Sequence, residues 1–117
     1  MRDAERAFTP EALWPKHPLD GDVRAVPSAK SLWAGAAGML LGLDYLAREG
    51  AVELERGYAP VAAALHQSYL DEPDRGPVVP GMLSGEVGVL LAAWRLSRAP
   101  ETAEVLATRV RDNIENP

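Results

Sequence analysis

Two glycine pairs recur at a fixed spacing in this chain of 117 residues, and few folds accommodate that pattern. Gly35 and Gly38 fall on Gly85 and Gly88 when the numbering is advanced by 50, and three leucines between 40 and 46 also fall on leucines. Each pair opens an apolar run, although a glycine inside a helix costs about 1 kcal/mol relative to alanine. The repeat therefore indicates two copies of one helical unit.

Proline and glycine are concentrated in two segments, 15–27 and 71–81. Because proline lacks the N–H that helix interiors and central strands require, both segments are predicted to be loops. Outside them the apolar spacing is helical, and alternation typical of strands never lasts more than a few positions. The sequence therefore predicts an all-α chain whose first helix ends near Gly50. The segment 9–14 adds at most one short turn, and the four predicted helices span Ala34–Arg48, Ala59–Leu70, Glu86–Ser97 and Glu101–Ile114.

The predicted helices are of two kinds. The first and third are apolar on every side over much of their length, which is typical of helices surrounded by protein, and Trp33 and Trp94 are expected to pack in the core. The second and fourth are amphipathic. Their apolar stripes are Val61, Leu65 and Tyr69 in the second, and Ala103, Leu106, Ala107, Val110 and Ile114 in the fourth.

Composition excludes several classes of protein. The 12 basic and 17 acidic residues leave a net charge of −5, which does not suit a protein that binds the phosphates of a nucleic acid. There is no cysteine, and so no disulfide and no thiolate zinc site. The longest stretch without a charged or strongly polar side chain, 32–43, is shorter than the ~20 residues of a membrane span, and no signal-peptide pattern opens the chain. We therefore expect a cytoplasmic domain.

Three interpretations of the glycine pairs stay open. Small residues at positions i and i+3 let neighbouring backbones pack closely, which is the interpretation we favour. Free N–H groups at the start of each helix could instead bind an anion, although neither loop carries the lysine of a phosphate-binding motif. A Gly-x-x-Gly loop can also clamp the backbone of single-stranded nucleic acid, which the acidic composition disfavours.

The segments 31–41 (SLWAGAAGMLL) and 81–91 (GMLSGEVGVLL) resemble the recurring hairpin of the lanthionine synthetase C-like (LanC-like) family. The resemblance covers about residues 30–116. It implies an α/α toroid in which inner helices open with Gly-x-x-Gly and an amphipathic outer helix follows each one.

The resemblance also implies how the chain is divided. We expect one all-α domain or fragment over 1–117, an incomplete toroid of two hairpins. Because the family's toroid has seven hairpins, we expect the N-terminal portion of a longer protein, or a piece that pairs with another chain or with itself. The expected parts are an N-terminal segment 1–30, hairpin one 31–70, a loop 71–81 and hairpin two 82–117.

In that family, zinc activates a peptide cysteine, which adds to a dehydrated Ser or Thr to form a thioether. The ligands, two Cys and one His, lie just before a later Gly-x-x-Gly helix. The matching positions here are Trp33-Ala34 and Leu83-Ser84, which cannot bind zinc. The histidines, His17 and His66, have no cysteine beside them, so we expect no cofactor in this chain, although the full-length family uses zinc. By resemblance the function is peptide modification, with this chain alone inactive.

Few other residues suggest chemistry. Ser84 is predicted to cap the third helix, and Trp33 could line a substrate cleft at a toroid's mouth. Glu86 is explained by the dipole of that helix and is a weak candidate for a site carboxylate, and His66 is expected to be a surface or boundary residue. Asp20-Gly21-Asp22 is expected to be a turn rather than a calcium loop. Two alternatives to the LanC-like function are a non-catalytic helical repeat that binds a peptide or protein, and a sugar-active α/α-barrel enzyme.

Overall fold

The computed structural model of the protein describes residues 2–9, 13–14, 29–33, 35–74 and 77–115. His17, the Asp20–Asp22 turn and Ala34 lie outside the described residues. Five helices and no strand are present in these ranges, so the prediction of an all-α chain is confirmed. The helices are α1 (Arg2–Ala7), α2 (Ala36–Arg48), α3 (Ala59–Asp71), α4 (Glu86–Ser97) and α5 (Pro100–Glu115).

Four of these helices match the predicted ones within two residues at each end, because their boundaries carry clear signals. Gly50 adopts a left-handed backbone (φ 74°), and its N–H bonds the carbonyl of Ala47 while the N–H of Ala51 bonds that of Leu46. These two bonds form a Schellman motif, and Gly50 ends α2 as predicted. Pro60 lies in the first turn of α3, where its missing N–H costs little.

Helix α1 was missed, since its six residues carry no apolar stripe. It joins the rest of the fold through Glu5, whose carboxylate accepts hydrogen bonds from the Glu55 N–H and the Tyr58 hydroxyl. After α1, an isolated bridge pairs Thr9 with Leu13. The two residues exchange both backbone hydrogen bonds, and residues 10–12 of the expected short turn lie outside the described part.

Helix α4 is the central element, and it packs against α2, α3 and α5. Seven of its twelve residues are buried, as its all-round apolar sequence predicts. The prediction that α2 is likewise surrounded by protein is wrong. Met39, Gly42 and Tyr45 of α2 are exposed, because only one flank of this helix faces α4 and α3.

The core lies where α2, α3 and α4 meet. Leu65 and Tyr69 of α3 are buried in it and Val61 packs against it, which confirms the predicted stripe of α3. In α5, none of the residues whose burial is described, 100–113, is fully buried, and Ala107 and Val110 of its stripe are exposed. None of the described helices is long and apolar enough to cross a lipid bilayer.

Candidate functional site

The turns before α2 and α4 have the same backbone geometry, and we call them together the glycine rim (29–33, 35–38 and 79–88). Gly35 and Gly85 are the N-caps of the two helices, with φ of −141° and −137°. The N–H of the next residue reaches back seven positions in both turns: Ala36 bonds the Ala29 carbonyl (3.0 Å) and Glu86 bonds the Val79 carbonyl (2.7 Å). The sequence repeat is thus a repeat of structure.

Close packing requires the four glycines of the two repeated pairs, Gly35, Gly38, Gly85 and Gly88. Any residue can adopt the φ values of the two N-caps, Gly35 and Gly85. Glycine is therefore required by the lack of space for a Cβ, not by backbone strain. A Cβ on Gly38 would overlap the Leu32 carbonyl oxygen, and one on Gly88 would overlap that of Met82. Gly35 and Gly85 are crowded in the same way by the backbone six residues earlier. The packing interpretation is therefore confirmed for these positions.

The two turns lie side by side. The backbone N–H of Trp33 donates to the Leu83 carbonyl oxygen (2.7 Å), and the Leu32 side chain lies against Gly88. Further along, residues 41 and 45 of α2 line one groove with residues 91 and 95 of α4. Helices α2 and α4 therefore run next to each other in the same direction, with their N-termini together at the rim.

Large apolar side chains project from the rim. Trp33 is 76% exposed, Leu83 54% and Met82 50%. The prediction that Trp33 packs in the core is wrong, because its turn faces outward and only its backbone is bonded. Trp94 is half-buried rather than in the core, and the Arg98 guanidinium lies over its ring at 4.4 Å from the centroid.

Ser84 does not cap α4, contrary to prediction. The N-cap is Gly85 and makes no side-chain hydrogen bond. The hydrogen bond expected from the serine hydroxyl is replaced by a backbone one: the carbonyl of Val79, in the preceding turn, accepts the N–H of Glu86. The first amides of α2, at Ala36 and Ala37, are bonded to carbonyls as well. These N–H groups are not free for an anion, which disfavours the second interpretation of the glycine pairs.

Glu86 is the charged centre beneath the rim. Its carboxylate is 7% exposed, and both oxygens are bonded: Oε2 lies 2.7 Å from His66 Nε2 of α3, and Oε1 accepts from Arg109 Nε of α5 (3.0 Å). The histidine nitrogen donates, because an ionised carboxylate only accepts. This cluster ties both flanking helices to the first turn of α4. With both oxygens engaged, Glu86 is held as a structural anchor.

A second buried carboxylate holds the first turn of the rim. Asp74, after α3, accepts the backbone N–H groups of Lys30 (2.7 Å) and Ser31 (2.9 Å). The Lys30 side chain is buried too, and its ammonium reaches the Glu72 carbonyl oxygen (3.2 Å) and carboxylate (3.4 Å). The loop after α3 is thereby fastened to the turn before α2.

The rim does not fit a zinc ion. Trp33, Leu83 and Ser84 lie just before the two Gly-x-x-Gly helices, and none of the three is a zinc ligand of proteins. His66 is bonded to Glu86, and no group of three or more His, Cys, Asp or Glu residues able to hold a metal ion occurs in the described part of the chain.

A cleft of about 650 Å³ lies away from the rim, along α3. Its charged wall consists of Glu5, Glu55 and Arg56, and Glu5 is already bonded to the Glu55 N–H and the Tyr58 hydroxyl. Burial and these contacts with Glu5 raise the pKa of Tyr58 to about 12. No buried side-chain nitrogen or oxygen in the described part of the chain lacks a hydrogen-bond partner, in this cleft or elsewhere.

Sequence reasoning singled out Glu86 and His66 separately but did not pair them, because 20 residues separate them and their contact depends on how α3 packs on α4. Arg109 was missed, although its position three residues after Leu106 places it beside the apolar stripe of α5. No sequence pattern predicts the roles of Glu5 and Asp74, since both carboxylates accept hydrogen bonds from backbone N–H groups that are distant in sequence.

Comparisons with protein-family models, with curated proteins and with solved structures find no match to this chain.

Proposed function

We propose that about residues 30–116 form two successive hairpins of a LanC-like α/α toroid, with α2 and α4 as inner helices and α3 and α5 as outer ones. The hydrogen bond from the Trp33 N–H to the Leu83 carbonyl carries this proposal. It joins equivalent positions of two turns that share one geometry, as neighbouring units of a repeat do.

On this proposal the complete protein modifies peptides, by adding a cysteine thiol to a dehydrated Ser or Thr to form a thioether. This chain contributes structure and a surface for the peptide, not the catalytic group. The apolar side chains of Trp33 and Leu83 at the rim are the surface that a peptide would meet first. Its buried carboxylate, Glu86, anchors helices beneath that surface.

The test is a titration with a synthetic peptide that contains one cysteine and one dehydroalanine. Because Trp33 is the most exposed tryptophan, peptide binding at the rim is expected to change tryptophan emission saturably, and Trp33→Phe to abolish that change. Ring closure, followed by thiol alkylation and mass spectrometry, is expected at the rate of the peptide alone. Acceleration by this chain would contradict its assignment as a non-catalytic part, and unchanged emission would exclude the rim as the peptide surface.

The second candidate function is a non-catalytic helical repeat that binds peptides or proteins. The same exposed apolar residues at the rim favour it. A peptide in which alanine replaces both the cysteine and the dehydroalanine separates the two candidates. Equal affinity for both peptides supports the general binding module, whereas weaker binding of the alanine peptide supports the thioether-forming function.

A further inference from the structure

The two repeat units are unequally covered, although their sequences and turns correspond. Val89 and Ala92 of α4 are completely buried, whereas the equivalent Met39 and Gly42 of α2 are exposed. We call Gly38, Met39 and Gly42 the open α2 face. Gly88 is contacted by the Leu32 side chain, while a Cβ on Gly38 would meet no side chain closer than the backbone of Leu32.

The opposite edge of the repeat is a groove between α4 and α5 with a volume of about 340 Å³. We call it the α4–α5 groove. In the first unit, Leu32 and Leu41 occupy the positions of Met82 and Leu91, and both pack against the core. In the second unit Met82 is half-exposed and Leu91 is partly exposed. Five apolar residues line the groove: Met82, Val87, Leu91, Leu106 and Val110.

We propose that a second copy of this chain docks its open α2 face into the α4–α5 groove, repeating between molecules the contact that joins α2 to α4 within one. In that contact Leu32 rests on Gly88. Between copies, Met82 takes the place of Leu32 and Gly38 of the next copy takes the place of Gly88.

Continuity with the internal interface identifies the occupant. The groove presents the apolar residues that one unit uses to contact the next. The open α2 face is the matching surface, and its Met39 and Gly42 are exposed in the described part of the chain. Because the two surfaces differ, the contact is head-to-tail, and each added copy leaves one of each surface free. Association therefore continues beyond a dimer, to a ring or an open chain.

The inference rests on the repeat architecture of the proposed function but not on its peptide chemistry. Sedimentation velocity over a range of concentrations tests it. Wild-type protein is expected to show an average mass that rises past the dimer with concentration. Met82→Glu in the groove and Met39→Glu on the open α2 face each place a carboxylate in an apolar contact, and each is expected to weaken association at least about tenfold.

The decisive sample is an equimolar mixture of these two variants. The Met39→Glu protein keeps its groove and the Met82→Glu protein keeps its open α2 face, so the mixture is expected to form dimers and stop there. Leu70→Glu on α3 is the matched control, because Leu70 is an exposed leucine outside both surfaces, and it is expected to associate like wild type. Circular dichroism establishes that all variants are folded.

A wild-type chain that stays monomeric at every concentration would overturn the inference, as would folded variants whose mixture gives no dimer. Association lost in Leu70→Glu but kept in the other two variants would place the contact elsewhere and overturn it too. Peptide binding at Trp33, measured separately on monomeric Met39→Glu, distinguishes failure of this inference from failure of the proposed function.

Discussion

The backbone N–H of Trp33 donates to the carbonyl oxygen of Leu83 across 2.7 Å, and these residues occupy the same position in two turns 50 residues apart. This bond connects the start of α2 to the start of α4 without any side chain. It places Leu32 against Gly88, where an added Cβ would crowd the Leu32 side chain and overlap the Met82 carbonyl oxygen. The rim is therefore a backbone structure, and its exposed side chains are free for other contacts.

The first prediction concerns the requirement for Gly88. Gly88→Ala places a Cβ against the Met82 carbonyl oxygen and within 3.0 Å of the Leu32 Cβ, and is expected to reduce the free energy of unfolding by about 2–3 kcal/mol. Urea denaturation at one low protein concentration measures it. Gly42→Ala is the matched control, because nothing lies within 4 Å of that position, and it is expected to stabilise α2 by about 0.5–1 kcal/mol. Stabilisation by both substitutions would contradict close packing at the rim.

The second prediction concerns the charged cluster under the rim. Glu86→Gln removes the acceptor charge shared by His66 and Arg109, and is expected to reduce the free energy of unfolding by about 1–3 kcal/mol. A double-mutant cycle with Arg109→Gln is expected to give a coupling energy above about 0.5 kcal/mol, because the two side chains are in contact.

The control for that cycle is the ion pair of Asp44 and Arg48 on the surface of α2, which has a similar length of 2.8 Å. Exposed pairs at this helical spacing contribute less than about 0.5 kcal/mol, so Asp44→Asn is expected to change stability little. Equal effects of Glu86→Gln and Asp44→Asn would show that burial gives the cluster no special role.

The sequence predicts the elements of this fold better than their surroundings. The C-terminal end of α2 follows from Gly50, and the N-terminal ends of α2 and α4 follow from the glycine pairs, since these signals act within a few residues. The exposure of Trp33 could not be predicted, because it depends on the direction in which its turn faces. The sequences of α2 and α4 are similarly apolar, but α4 has neighbouring helices on three sides and α2 has fewer neighbouring helices.

The candidate site was predictable as a pair of turns but not as a network. The repeat locates the rim at Gly35 and Gly85, and physical crowding explains those residues. The contacts of Glu86 and Asp74 come from elements far away in sequence, and no spacing rule reports them. At Ser84 the local signal was present but misleading. Serine is a good N-cap residue, yet the N-cap of α4 is Gly85, and a backbone carbonyl of the turn accepts the N–H of the first helical residue.

The third prediction concerns the link between α3 and the rim. Asp74→Asn replaces one acceptor oxygen by an amide nitrogen, which leaves the N–H of Lys30 or Ser31 facing a donor. A buried group that loses its partner in this way costs about 1–3 kcal/mol, and urea denaturation is expected to show a loss of that size. Asp71→Asn, whose carboxylate bonds only the exposed Gln67 amide among the contacts observed, is expected to be nearly neutral. A neutral Asp74→Asn would mean that the turn keeps its shape without this carboxylate.

The fourth prediction concerns stability in alkali. The pKa of Tyr58 is raised to about 12 because the hydroxyl is buried and donates to the Glu5 carboxylate, whereas an unfolded tyrosine titrates near its ordinary pKa of 10.0. Below pH 10 the Tyr58 hydroxyl keeps its proton in both the folded and the unfolded state, and its hydrogen bond to Glu5 contributes fully to the free energy of unfolding. Between pH 10 and 12 only the unfolded state loses it, so the free energy of unfolding falls by up to about 1.4 kcal/mol per pH unit.

Denaturation curves between pH 8 and 12 measure this slope, and Tyr58→Phe is the matched variant because it removes the titrating hydroxyl and keeps the ring. The variant is expected to be less stable at pH 8 and to lose less stability above pH 10. Some dependence remains in it, since burial also raises the pKa of Tyr69. If wild type and Tyr58→Phe fall with the same slope, the bond between Tyr58 and Glu5 does not stabilise the packing of α1 against the segment before α3.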